Sequence, residues 1–140
     1  MTAAIIGITS GLVIILVFVL LKQFNKLLMY GLILSGIGFL YVGFAWSDTR
    51  ALIINAVQAI LFVLIAYYGI KKGMVILAAG YFLHGTWDLL YHMFQDPGLI
   101  PPEYDLFCMS LDFTIGFYLL AIKYKLLNNP VVSPVTKINY

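Results

Sequence analysis

His84-Gly85-Thr86-Trp87-Asp88-Leu89-Leu90-Tyr91-His92 is a polar run inside an apolar segment that extends from about Val75 to Phe94. On an α-helix, successive residues advance by roughly 100°. His84, Asp88 and His92, spaced i, i+4 and i+8, therefore stack within about 80° of one another, with Trp87 and Tyr91 flanking the stripe. Toward the N-terminal end the same face passes through Gly80 and turns apolar at Leu77. Ionisable groups on a membrane-spanning helix are costly, so by default such a stripe marks a functional site.

The rest of the chain decides whether that helix lies in a membrane. Of the 140 residues, 63% are hydrophobic and 10% charged, with a mean hydropathy of +1.01. Soluble domains carry about 25% charged residues, which excludes a soluble globular domain. A helix crossing about 30 Å of hydrocarbon needs about 20 apolar residues. Five such stretches fit, at about 3–21, 27–46, 51–70, 75–94 and 104–122. The expected fold class is all-α: a polytopic membrane protein whose single domain is a bundle of five transmembrane helices. Residues 126–140, with Pro130 and Pro134, form a short polar tail. The first apolar run lacks a basic lead-in and is long for a signal-peptide core, so it is read as a retained helix. The lone Cys108 excludes an intrachain disulfide and a zinc-ribbon pattern.

Small residues hint at how the helices meet. Ala3, Gly7 and Gly11 recur every four residues, a ladder suited to close helix contact. The second segment holds Gly31, Ser35, Gly36, Gly38 and Gly43, which suggests tight packing there too. Ser47 and Asp48 are placed to cap the third segment. All five prolines fall in the fourth connection or the tail, none in a span.

All seven lysines lie at the first connection, the third connection or the C-terminal end. Asp48, Asp96, Glu103 and Asp105 lie at the second and fourth connections, where Arg50 is the only basic residue. The positive-inside rule then puts the N-terminus outside and the C-terminus in the cytoplasm. Two acids remain, Asp88 and Asp112, both within spans. At about 1.5 Å per residue, Asp112, Asp88 and His84 lie roughly 12, 10 and 16 Å below the outer ends of their segments. Asn55 and Gln58 come out at about 6–10 Å on the third segment. Independent segments thus place their polar residues in one layer, which predicts a polar cavity opening outward.

Two chemistries suit the cluster. His and carboxylate are ordinary ligands for a divalent metal such as zinc or iron. His84 and His92 are about 12 Å apart along the helix axis, while each ligand atom must lie about 2 Å from the ion. The metal set is therefore His84 and Asp88 with Asp112, or Asp88 and His92 with Glu103. The second chemistry is acid–base catalysis by His84, Asp88, His92 and Asp112. Burial disfavours the charged form of both residue types, so together they supply a proton donor and acceptor near neutral pH. Trp87, Tyr91, Asn55, Gln58 and Cys108 would bind the substrate, with Phe107 and Phe113 adding to an aromatic wall. A structural alternative is a hydrogen-bonded clamp between helices, satisfied by Asn55, Gln58 and Asp112. Cys108 lies one turn from Asp112, and an inert buried thiol is its plainer reading.

Leu83-His84-x-x-Trp87-Asp88-x-x-x-His92, a Pro-rich connection, and Cys108-x-x-x-Asp112 resemble a family of small bacterial integral membrane proteins known only as a domain of unknown function. The resemblance covers roughly Gly80 to Leu120, with a similar five-helix layout before it. In that family the first motif often ends in a His-His pair. Tyr91 takes the first of those positions here, which weakens a metal assignment. The resemblance implies a site at these residues and a multi-pass protein of the bacterial inner membrane, and it supplies no reaction. Similarity to membrane sterol isomerases and terpene cyclases is one of architecture only. The expected function is a membrane enzyme acting on a lipophilic substrate by acid–base or metal-assisted chemistry. Its expected partners are membrane lipid and a lipophilic small molecule, with no nucleic acid and with a homo-oligomer left open. A small transporter or proton-linked carrier, and a structural or partner-binding membrane subunit, are the alternatives.

Overall fold

The computed structural model describes residues 1–94 and 97–128, without the side chains of His92, Phe94 and Pro97. Gln95, Asp96 and the tail from 129 onward lie outside the described residues, and with them Pro130, Pro134 and Lys137. Among the described residues there are five α-helices: α1 (Thr2–Leu20), α2 (Lys26–Phe44), α3 (Thr49–Lys72), α4 (Met74–Phe94) and α5 (Tyr104–Asn128). The expected boundaries hold within about two residues except at the end of α5. That helix runs on to Asn128, so Leu126–Asn128, expected in the tail, are helical. Lys123 and Lys125 mark where a span ends but are good helix formers, so the helix continues past them.

Local chemistry sets the ends. Asn25 caps α2 by accepting from the Leu28 amide at 3.2 Å, and Asp48 caps α3 by accepting from the Ala51 amide at 2.8 Å. Gly73 separates α3 from α4 with φ 119°, a conformation that side chains disfavour. Lys71 and Lys72 lie in the last turn of α3, where cations favour the helix dipole.

Four helices, α1, α2, α3 and α5, are long and apolar enough to cross a membrane. The fifth, α4, has 21 residues and carries the polar stripe, which lowers its hydropathy. It is also the hub, packed against α5, α3 and α2, while α1 lies on α5. A polar helix is tolerable at the centre of such a bundle because its neighbours cover it. Toward the lysine-bearing end the core is apolar and aromatic, built on Tyr30, Leu34, Leu77, Tyr81 and Ile115. There the Tyr81 hydroxyl donates to the Tyr30 carbonyl at 2.7 Å.

Glycine sets two close approaches. A Cβ on Gly7 would collide with the Ser110 hydroxyl and the Phe107 carbonyl, so α1 seats on α5 through the expected ladder. A Cβ on Gly85 would come within 2.7 Å of the Phe113 ring, so α4 and α5 are drawn together beside His84. The expectation of a tightly packed glycine face on α2 holds only in part. A Cβ on Gly36 or Gly43 would meet nothing within 4 Å.

Candidate functional site

Two helices each contribute an i, i+4 pair: His84 and Asp88 from α4, Cys108 and Asp112 from α5. That spacing puts each pair on one helix face, and the α4–α5 contact turns the two faces together. His84 Nδ1 lies 2.8 Å from Asp112 Oδ2 and 3.4 Å from Asp88 Oδ2. An ionised carboxylate only accepts, so with Asp112 ionised the proton on this contact sits on Nδ1, and with Asp112 protonated the carboxyl donates to Nδ1. The Tyr41 hydroxyl, brought in by α2, donates to Asp88 Oδ1 at 2.7 Å. From α3, the Asn55 amide donates to the Tyr41 carbonyl at 3.4 Å. The Cys108 thiol sits beside Asp88 and the Tyr104 hydroxyl.

His84, Asp88 and Asp112 have 0% exposure and Cys108 2%. One ligand atom from each of the four lies within 4.8 Å of the others, a set that fits a metal ion. Placing charges in such surroundings costs several kcal/mol per ion, offset only by close partners of opposite sign. Two carboxylates and one imidazolium would leave an excess negative charge. Among the described residues, His84 Nε2, Asp88 Oδ2 and Asp112 Oδ1 have no hydrogen-bond partner. The centre therefore keeps polar capacity that its own protein neighbours leave unused.

Aromatic rings wall it in. Phe62 of α3 packs edge-on to the His84 ring at 4.7 Å, and Tyr41 does so at 6.0 Å. Tyr41 also meets Tyr91 at 4.9 Å and Tyr104 at 5.8 Å, and with Ile100 and Phe44 these rings cover the end of the bundle. The sequence predicts a polar cavity opening outward at this level; among the described residues, the rings of Tyr41, Tyr91, Tyr104 and Phe44 pack together beside the polar layer.

The other expected residues are distributed as follows. Tyr91 is buried as one of these rings, and Asn55 is buried beside Tyr41. Trp87 and Gln58 line a separate groove between α3 and α4. Phe113 is corrected away from the site: it packs on Phe82 at 5.5 Å and on Phe117 at 6.5 Å. Phe107 sits beside Tyr104 at 5.9 Å. Of the two metal sets, His84–Asp88–Asp112 is assembled. The His92 side chain lies outside the described residues, and Glu103 is exposed. Sequence reasoning missed Tyr41, Phe62 and Tyr104. The depth rule would have found Tyr41, which lies about one turn inside the outer end of α2, level with Asn55.

Fold and site together define a five-helix bundle of membrane type with a buried His–Asp–Cys–Asp centre on its central helix pair. The chain belongs to the family of unknown function DUF6010, whose profile matches residues 2–125. The match reaches into all five helices and includes every residue of the centre. No curated protein and no solved structure matches, so the likeness to sterol isomerases and terpene cyclases is not shown.

Proposed function

We propose that this protein is an enzyme of the bacterial inner membrane that transfers a proton to or from a lipophilic substrate at His84. The observation that carries the reading is the unequal use of the imidazole. Nδ1 is engaged by Asp112 at 2.8 Å, with Asp88 behind it at 3.4 Å, while buried Nε2 has no hydrogen-bond partner among the described residues. A carboxylate on one ring nitrogen orients the ring and stabilises its cationic form, leaving the other nitrogen to exchange the proton. Tyr41 fixes Asp88, and the surrounding rings exclude water, which strengthens each of these contacts. Phe62 stands between the imidazole and the lipid-facing side of α3 and α4 and is the wall that must part for access. An apolar core toward the lysine-bearing end supports a reaction chamber over a transport path.

Cys108 favours a second reading, in which the four side chains hold a divalent ion. Thiolate, imidazole and carboxylate together suit zinc or iron. Such an ion would balance the excess negative charge and act as a Lewis acid. Metal analysis of the purified protein decides it: about one ion per chain, lost in Cys108→Ser and Asp112→Asn, supports the metal, and a metal-free wild type rejects it.

The test of the enzyme is conversion. Protein reconstituted in bacterial lipid extract should convert at least one neutral lipid, followed by chromatography. His84→Gln should lower that rate by about a hundredfold or more. No conversion by folded wild type overturns the proposal.

A further inference from the structure

The lysine-bearing end of the bundle holds charge that the chain itself does not answer. Lys22, Lys26, Lys71, Lys72, Lys123 and Lys125 gather at the helix ends there, while the six acids fall in the second and fourth connections, the start of α5 or the interior. Helix packing concentrates three of these lysines. Phe18 of α1 packs on Tyr30 of α2 at 5.1 Å, and Tyr30 on Tyr118 of α5 at 6.2 Å, so three helices meet at this level. Lys26 comes four residues before Tyr30 and Lys125 seven after Tyr118, spacings that keep each lysine on the face of its ring. Lys22 follows Phe18 by four residues, in the turn that joins α1 to α2. Gly7 faces Phe107 and Ser110, and Gly11 faces Leu111 and Thr114, so α1 and α5 run parallel, and the same offset sets Lys22 level with residues 122–125. The α1–α2 turn forms a pocket of about 350 Å³ lined by Leu20, Leu21, Lys22, Gln23 and Phe24. Lys26 opens α2, where the helix dipole disfavours a cation, and no acid lies in that first turn to offset it.

We infer that this pocket binds the phosphate diester of an anionic phospholipid, held by Lys22, Lys26 and Lys125 at the α1–α2 turn. An anion at the start of α2 answers both the lysines and the helix end. The Gln23 amide adds hydrogen-bond donors for phosphate oxygens. Leu20, Leu21 and Phe24 are 68%, 41% and 55% exposed and give acyl chains an apolar edge, which a free phosphate would leave unused. Clusters of basic residues at the ends of membrane helices suit anionic headgroups for this reason. Lys71 and Lys72 stand apart from the pocket. Their helix, α3, packs on α2 and α4, and the Lys71 ammonium sits 4.4 Å from the centre of the Tyr67 ring. The lipid site is independent of the buried centre and of the reaction proposed there.

Thermal unfolding of the full chain in a neutral detergent tests it, with phosphatidylglycerol, phosphatidylcholine or inorganic phosphate as the probe. A ligand that binds only the folded state raises the unfolding midpoint with its concentration. Phosphatidylglycerol should do so saturably, at a concentration at least about tenfold below that needed for phosphatidylcholine. Inorganic phosphate at the same concentration should neither reproduce the shift nor displace the lipid. Lys22→Gln with Lys125→Gln should remove the preference for phosphatidylglycerol. Lys71→Gln with Lys72→Gln takes the same charge from the same end and should retain it. Equal effects of the two lipids overturn the inference. So does an equal loss in the two paired variants, which would mean diffuse attraction to a positive surface. A phosphate that displaces the lipid also overturns it, because the site would then be one for free anions. In the wild type, about 1 M salt screens charges beyond about 3 Å and should abolish the preference. A preference that survives that salt is not ionic and overturns the inference, whether or not the variants fold.

Discussion

Asp88 divides its two oxygens between helices, Oδ1 taking the Tyr41 hydroxyl at 2.7 Å and Oδ2 facing His84 Nδ1 at 3.4 Å. Replacing Tyr41 by Phe leaves that carboxylate short of a donor in a buried site. The expected cost is about 1.5–3 kcal/mol, read by unfolding in detergent, and an unchanged stability would remove Tyr41 from the network. Asp112→Ala leaves His84 without its closest partner and should cost about 3–5 kcal/mol. Combined with His84→Ala, it should show a coupling of about 0.5–3 kcal/mol, whereas additive losses would mean that the 2.8 Å contact carries no energy. The cluster was legible because His84, Asp88 and Asp112 are polar residues inside apolar runs, with spacing and depth that agree. Tyr41, Phe62 and Tyr104 were not, since an aromatic residue in an apolar run reads the same whether it faces lipid or a site. Phe113 was misplaced for a related reason. One residue beyond Asp112, it is rotated by roughly 100° onto another face.

Helix number and most boundaries follow from hydropathy and capping residues such as Asn25 and Asp48, because backbone satisfaction in a membrane leaves few other solutions. The end of α5 was less legible, since the lysines there report the membrane surface and not the last helical turn. Contacts between helices were half legible. Small residues say that close approach is allowed but not what approaches, so Gly7 meets α5 while Gly36 meets nothing within 4 Å. The contrast is testable by thermal unfolding in detergent. Gly7→Leu should overfill the α1–α5 contact and cost about 1–3 kcal/mol or more. Gly36→Ala should be neutral or stabilising by up to about 1 kcal/mol through helix propensity. Equal effects would contradict the assigned packing.

For the whole molecule, the sequence indicated a bundle and a polar layer, but not that α4 is its hub or that aromatic rings pack together beside the layer. Both depend on which helix faces meet, and an apolar helix can turn several faces inward. Lysine placement also leads us to propose an outside N-terminus, which puts the Pro97–Leu99 turn outside and the α1–α2 connection in the cytoplasm. A thiol introduced at Gly98 should label in intact cells and one at Gln23 only after permeabilisation, with buried Cys108 staying silent. The opposite pattern would invert the membrane orientation. The central claim is that this buried centre moves protons on a lipophilic molecule, and transfer of deuterium from heavy water tests it most directly. Wild-type protein in bacterial lipid vesicles in D2O should place deuterium in a neutral lipid, by mass spectrometry, and His84→Gln and Asp112→Asn should not. No deuterium above protein-free vesicles, from a wild type shown to be folded, would contradict the account and leave the cluster as a clamp between α4 and α5.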